Sequence, residues 1–171
     1  MKQLFLIILL LPITALADAS SQFDTQFGLG LGTQYGGVAG LKYSIRGNSN
    51  SFYIGAGRAD FFKSDDERYG LTLGWEKSLS EHHAIGVAVR TRTDPLDGAY
   101  IATTIDGQPA YMEAKGRYES FLAGTYTYHF KPSSEPGFLT GVSIGKTYSA
   151  SNYRNEFLSG LDYGMHFGYQ F

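Results

Sequence analysis

The chain has 171 residues, with Lys+Arg 14 against Asp+Glu 16, 22 glycines and no cysteine. Its length suits one domain, its near-neutral charge gives no electrostatic basis for nucleic-acid binding, and the lack of cysteine excludes a disulfide frame or a thiolate metal site. Glycine is about 13% of the chain against a usual share of about 7%, and aromatic residues reach 15%, an odd mixture for a soluble enzyme, although a mean hydropathy of −0.18 taken alone suggests solubility.

Residues 1–17 carry Lys2, an apolar run from Leu4 to Leu11, and Ala15-Leu16-Ala17 before Asp18. One basic residue, an apolar core too short to cross a bilayer and small residues two apart predict a cleavable secretory signal, leaving a single domain over 18–171.

Period-two alternation then governs the chain. From Phe23 to Tyr35 the odd positions are mostly apolar (Phe27, Leu29, Leu31, Tyr35) and the even ones polar or glycine (Gln26, Gly28, Gly30, Gln34), a strand pattern with no helical reading. A second strand sets Ala39, Leu41, Tyr43 and Ile45 against Gly40, Lys42, Ser44 and Arg46, and the stretch Gly47 to Asn50 makes a turn. A third runs from Phe52 to about Phe61. The fourth carries Leu71, Leu73, Trp75 and Leu79, and the fifth Ile85, Val87 and Val89 opposite Gly86, Ala88 and Arg90. The sixth spans about Tyr118 to Phe130, the seventh Phe138 to Tyr148, and the eighth alternates Tyr163, Met165, Phe167, Tyr169 and Phe171 with Gly164, His166, Gly168 and Gln170.

The apolar faces carry large aromatics near strand ends (Tyr35, Phe52, Tyr69, Phe130, Phe138, Tyr148), whereas the opposite faces are small residues with isolated charges. A soluble eight-stranded binder puts its aromatics inside and its charges outside. Bulky groups toward lipid and glycines in a crowded lumen instead predict an all-β, eight-stranded antiparallel up-and-down transmembrane barrel. With its export signal and its final alternation ending in Phe171, the chain resembles the OmpA/OmpX-type outer-membrane barrels, a resemblance of pattern over the whole of 18–171. It implies the outer membrane of a Gram-negative bacterium as location, with lipid and lipopolysaccharide as surroundings. It also implies that Tyr163, Met165, Phe167, Tyr169 and Phe171 are the signal read by the barrel-assembly machinery.

An even strand count places both termini on one side, the periplasm in this class. Turns at 46–51, 79–83 and 131–137 are then internal, and the connections near Gly36-Gly37, Lys63 to Arg68, Asp94 to Arg117 and Ser149 to Asn155 external. In the long third connection, Asp106-Gly107 between alternating flanks signals a hairpin. Strands five and six are expected to continue outward into a projecting hairpin, interrupted at Asp94 to Gly98; ten barrel strands is the competing count. The hairpin presents Tyr100, Ile101, Tyr111 and Met112 as a candidate surface for an external ligand.

Asp24, Lys42, Glu76, Arg90, Arg92, Glu119 and Asp162 fall on the inward face. In so narrow a lumen they should form ion pairs that close it, since an unpaired charge there costs several kcal/mol. Arg90 and Arg92 are expected near Glu119 and Asp162, and Lys42, Glu76 and Asp24 lower down. On the third strand, unbroken alternation sends Arg58 and Asp60 outward at the rim, as it does Lys146 on the seventh. A bulge changes that register; otherwise Arg58 and Lys146 are candidates for contact with lipopolysaccharide phosphates or for simple snorkelling.

Some barrels of this size modify lipid A with a histidine, a serine and a carboxylate. Here the histidines are His82, His83, His129 and His166; none is expected near the external rim, and a His129–Ser143 pair would be luminal. Adjacent His82 and His83 point to opposite faces, poor geometry for a metal. The expectation is a monomeric, non-catalytic envelope or surface-interaction protein without cofactor or metal, ahead of a narrow passive channel and then of a lipid A-modifying enzyme.

Overall fold

In the computed structural model the described residues are 23–59, 68–93, 98–152, 155–158 and 160–171. The strands are β1 (Asp24–Gly32), β2 (Gly37–Arg46), β3 (Asn50–Arg58), β4 (Tyr69–Ser78), β5 (His83–Arg92), β6 (Tyr100–Ile105), β7 (Gln108–Glu113), β8 (Gly116–His129), β9 (Gly137–Ser151), β10 (Asn155–Phe157) and β11 (Asp162–Gln170). The export signal expected over 1–17, the interruption at 94–97 and Asp60 lie outside the described residues.

Eight strands pair antiparallel with their neighbours around a ring, β1-β2-β3-β4-β5-β8-β9-β11, and β11 returns to β1 through the pairs Gly28↔Gln170 to Gly32↔His166. Closure satisfies the backbone groups that an edge strand leaves open. At one end the connections are short: Gly47 N–H bonds the Asn50 carbonyl (2.8 Å), and Leu79 N–H bonds that of His83 (2.8 Å). At the other end β8 and β9 outrun the rest, with 14 and 15 residues against nine or ten in the other six. There β10 adds to β9.

The expected hairpin forms as a separate two-stranded sheet, β6 with β7. Asp106 (φ 51) and Gly107 (φ 79) both take positive φ at its tip, as a tight type I′ turn requires and Asp-Gly supplies. The pairing of its two arms continues to its base, where the Gly98 and Ala114 amides bond the carbonyls of Ala114 and Ala99 (2.7 Å each).

Alternation assigns the two faces of the wall. Leu29, Leu71, Leu73, Val87, Val142 and Ile144 stand outward, between 46% and 55% exposed, while Lys42, Thr72, Glu76, Thr127 and His166 point inward and are at most 5% exposed. Aromatic side chains thicken the outer face toward both ends: Tyr128 with Phe130 (5.3 Å between ring centroids) and Phe138 with Tyr169 (5.0 Å) at the turn end, Tyr148 with Phe157 (5.1 Å) at the hairpin end. The β3 register continues unbroken to Arg58, which pairs with Ala39 and Tyr69, so no bulge redirects it.

Candidate functional site

The β1–β2 connection, expected as an external turn at Gly36-Gly37, folds back into the barrel. Thr33–Tyr35 form one 3-10 turn and all three residues are fully buried. Tyr35, expected on the outward face, is therefore luminal. Period two fails here because Gly32 (φ 92) and Gly36 (φ 76) adopt the left-handed backbone at either end of the turn, a conformation that favours glycine. The wall also makes room. A β-carbon at Gly30 would lie 2.6 Å from the Tyr35 ring, and one at Gly55, Gly57 or Gly168 would collide with the Gln34 carbonyl, the Tyr35 carbonyl or the Tyr35 hydroxyl. Thr72 anchors the turn by donating its hydroxyl to the Thr33 carbonyl (2.6 Å).

Gln34 is the hub. Its amide nitrogen donates to Glu76 Oε1 (2.7 Å) and Thr127 Oγ1 (2.9 Å), and its amide oxygen accepts from Lys42 Nζ (2.8 Å). Lys42 and Glu76, expected with Asp24 among the ion pairs of the lower lumen, are thus joined through a neutral amide. The Lys42 ammonium also lies 5.6 Å from the Tyr35 ring centroid and 5.3 Å from that of Tyr53, within cation–π range. Thr127 gives its single hydroxyl proton to Glu76, so the 3.1 Å contact with His166 Nε2 requires that nitrogen to carry the proton. That assigns the tautomer and leaves Nδ1 bare and buried, with no partner among the described residues.

A hydroxyl between a histidine and a carboxylate has the ingredients of a nucleophile. Here the hydroxyl donates to the carboxylate rather than to the imidazole, and Thr127 and His166 are 0% and 1% exposed, unlike a nucleophile paired with its base at an open site. The cluster is a buried polar knot. His129 and Ser143 do not form the expected pair: among the described residues the Ser143 hydroxyl has no partner. His82 Nδ1 donates to the His129 carbonyl (2.9 Å), and His83 Nδ1 meets the Tyr126 hydroxyl (2.7 Å).

Of the remaining inward charges, Arg92 and Glu119 form an ion pair at 3.0 Å. Arg90 lies over the Phe121 ring, 5.5 Å from its centroid. Asp162 pairs with Gly145 in the β9–β11 ladder, and its carboxylate makes no ion pair among the described residues. Asp24 is exposed at the start of β1 and accepts the Thr25 amide (2.9 Å). At the turn end, the Ser133 carbonyl accepts the amides of Gln26 (3.1 Å) and Gln170 (3.0 Å), pinning the β8–β9 connection across the lumen.

On the outer surface Arg58 and Lys146 are both exposed. In the hairpin Tyr100 and Tyr111 are 74% and 78% exposed, while Ile101 and Met112, paired across the strands, are half-buried. Asn152 clips the hairpin base to the last connection: its side chain accepts the Lys115 amide (2.8 Å) and donates to the Glu113 carbonyl (3.1 Å). On β11 and just beyond it, Tyr163, Met165, Phe167 and Phe171 are exposed outward, and Tyr169 stacks edge-on with Phe138 and Phe171.

Comparisons with protein-family models, curated proteins and solved structures return no match.

Lys42 and Glu76, 2% and 5% exposed, are each compensated by the other through Gln34. Lys42→Met or Glu76→Gln alone is expected to cost about 3–5 kcal/mol by leaving one buried charge uncompensated. The double variant should cost about 0.5–3 kcal/mol less than the sum. Denaturant unfolding followed through Trp75 fluorescence measures all three; strict additivity would show that the two charges are independent.

Proposed function

We propose that this chain is an outer-membrane barrel of a Gram-negative envelope, similar to the OmpA/OmpX type, with a blocked lumen and a non-catalytic role exercised at the cell surface through its hairpin. The observation that carries this reading is the inversion of the wall. A closed barrel surrounded by exposed Leu, Val, Ile and Phe around a polar interior has an apolar surface far larger than the few hundred Å² that soluble monomers tolerate. Nine- or ten-residue strands rise about 30–33 Å and, tilted near 45°, span about 23 Å, the height of an outer-membrane apolar band. The two aromatic belts lie where such a band meets its interfaces.

The short connections share an end with Asp24 and Gln170, which supports periplasmic termini and an external hairpin. On that placement Arg58 and Lys146 lie toward the outer leaflet, where lipopolysaccharide phosphates are their natural partners. The β11 alternation serves as the assembly signal, and a monomer suffices because the barrel has no open edge. The inward turn at Thr33–Tyr35 argues against a passive channel, and the sealing of Thr127 and His166 argues against a lipid-modifying enzyme.

The membrane reading is tested at Leu73, midway along β4 and 55% exposed. Leu73→Arg is expected to destabilise the barrel in lipid vesicles by about 2–4 kcal/mol; a change within about 0.5 kcal/mol, the usual result at a water-exposed site, would reject it. For the lumen, planar-bilayer recording should give no steady conductance from the wild type; steady conductance well above the lipid background would reject the blocked lumen. Deleting residues 97–114 while retaining the barrel is expected to abolish adhesion of expressing cells to surfaces. Unchanged adhesion would remove the surface role.

A further inference from the structure

At the turn end a cavity of about 360 Å³ opens between the β2–β3, β4–β5 and β8–β9 connections, with Arg46, Asn48, Ser49, Ser80, Glu81 and Ser133 in its lining. Its volume lies in the usual range for small-molecule sites. The lining is dominated by side-chain hydroxyls and one amide, all able to donate hydrogen bonds. Its walls are fixed: the Ser133 amide bonds the Glu81 carbonyl (2.7 Å), and the Ser133 carbonyl holds two glutamine amides.

Among the described residues Arg46 is the only cation in that lining, and it is half-buried, with Nε sheltered and without an acceptor. Asp24 lies directly across the β1–β2 ladder, yet its carboxylate accepts the Thr25 amide and forms no ion pair with Arg46. Glu76, the nearest buried carboxylate, is committed to Gln34 and Thr127. A guanidinium with five fork-arranged donors, partly removed from water and facing hydroxyls, is incomplete without an oxyanion.

We infer that this cavity is a binding site for a small oxyanion-bearing molecule, a carboxylate or phosphate seated on Arg46 and completed by the surrounding serines. Glu81 shares the lining and Asp24 faces Arg46 across the ladder; both oppose the incoming charge, so the affinity is set by Arg46 against these two carboxylates. The site is remote from the hairpin and independent of any surface adhesion. On the orientation proposed above it opens to the periplasm, where peptide carboxylates and free phosphate are both present.

The test uses the 18–171 chain refolded in detergent micelles, with amide and arginine side-chain NMR resonances followed during titration. The probes are inorganic phosphate, N-acetyl-dialanine and, as control, N-acetyl-dialanine amide, which lacks the carboxylate. Saturable shifts are expected at Arg46, Ser49, Ser80 and Ser133 with at least one of the two anions and none with the amide. Response to phosphate alone identifies the free anion, and response to the dipeptide alone identifies a peptide carboxylate. Arg46→Gln should weaken binding at least tenfold, whereas Asp24→Asn, which leaves Arg46 in place, should tighten it several-fold. Absence of saturable binding, equal response to the amide, or affinity unchanged in both variants would overturn the proposal.

Discussion

Eight strands enclose a lumen just wide enough to be filled by side chains, and in this chain a single amide decides how it is filled. Gln34 accepts from the Lys42 ammonium on one side and donates toward the Glu76 carboxylate on the other. A direct ion pair would have left the middle of the barrel to be packed by other groups. Routing the attraction through an amide lets a piece of backbone occupy that volume while both charges keep their compensation. Once the turn is inside, much of the wall follows from it. Gly30, Gly40, Gly55, Gly57 and Gly168 clear a bay on the β1, β2, β3 and β11 side, while Phe121, Thr127 and Leu139 fill the opposite side from β8 and β9.

This packing divides the interior. Above the turn lie the Arg92–Glu119 pair and the Arg90–Phe121 contact; below it the Ser133 carbonyl draws in Gln26 and Gln170. The two blocks are built differently. The upper is an inward turn of the chain locked by buried hydrogen bonds, and the lower is a connection laid across the mouth and held by two glutamine side chains. The two ends of the lumen are thus packed by different parts of the chain, β1–β2 turn residues above and the β8–β9 connection below.

The architecture was legible in the sequence because a wall with one apolar and one polar face writes itself as period two, and because Asp106-Gly107 names its own turn. The inward turn was not legible, for a physical reason: Thr33 and Tyr35 keep the alternation of β1, so periodicity alone carries them onto the outer face. The available signal was the concentration of glycines at matching heights on strands that become neighbours only when the barrel closes, together with Gly32 and Gly36 framing the turn. The inward positions of Lys42, Glu76, Arg92 and Glu119 followed from parity. Their partners did not, since choosing Gln34 over an opposite charge depends on where a loop goes. Thr127 and His166 went unremarked as a pair because β8 and β11 are not adjacent and meet only across the lumen.

The height of the wall connects the interior to the hairpin. Because β8 and β9 extend beyond their neighbours, their far ends, Gly116 paired with Ser151, rise above the ring. The base of the hairpin is fastened at that point, where Asn152 follows β9 directly and bonds both Lys115 and Glu113. The hairpin, although its strands form their own sheet, is therefore fastened to the tallest part of the wall. Asn152 holds the hairpin base against the end of the β8–β9 ladder, and Thr127 of the knot around Gln34 lies on β8 lower down. The segment that carries the exposed Tyr100 and Tyr111 is thus tied by hydrogen bonds to the two longest strands of the barrel.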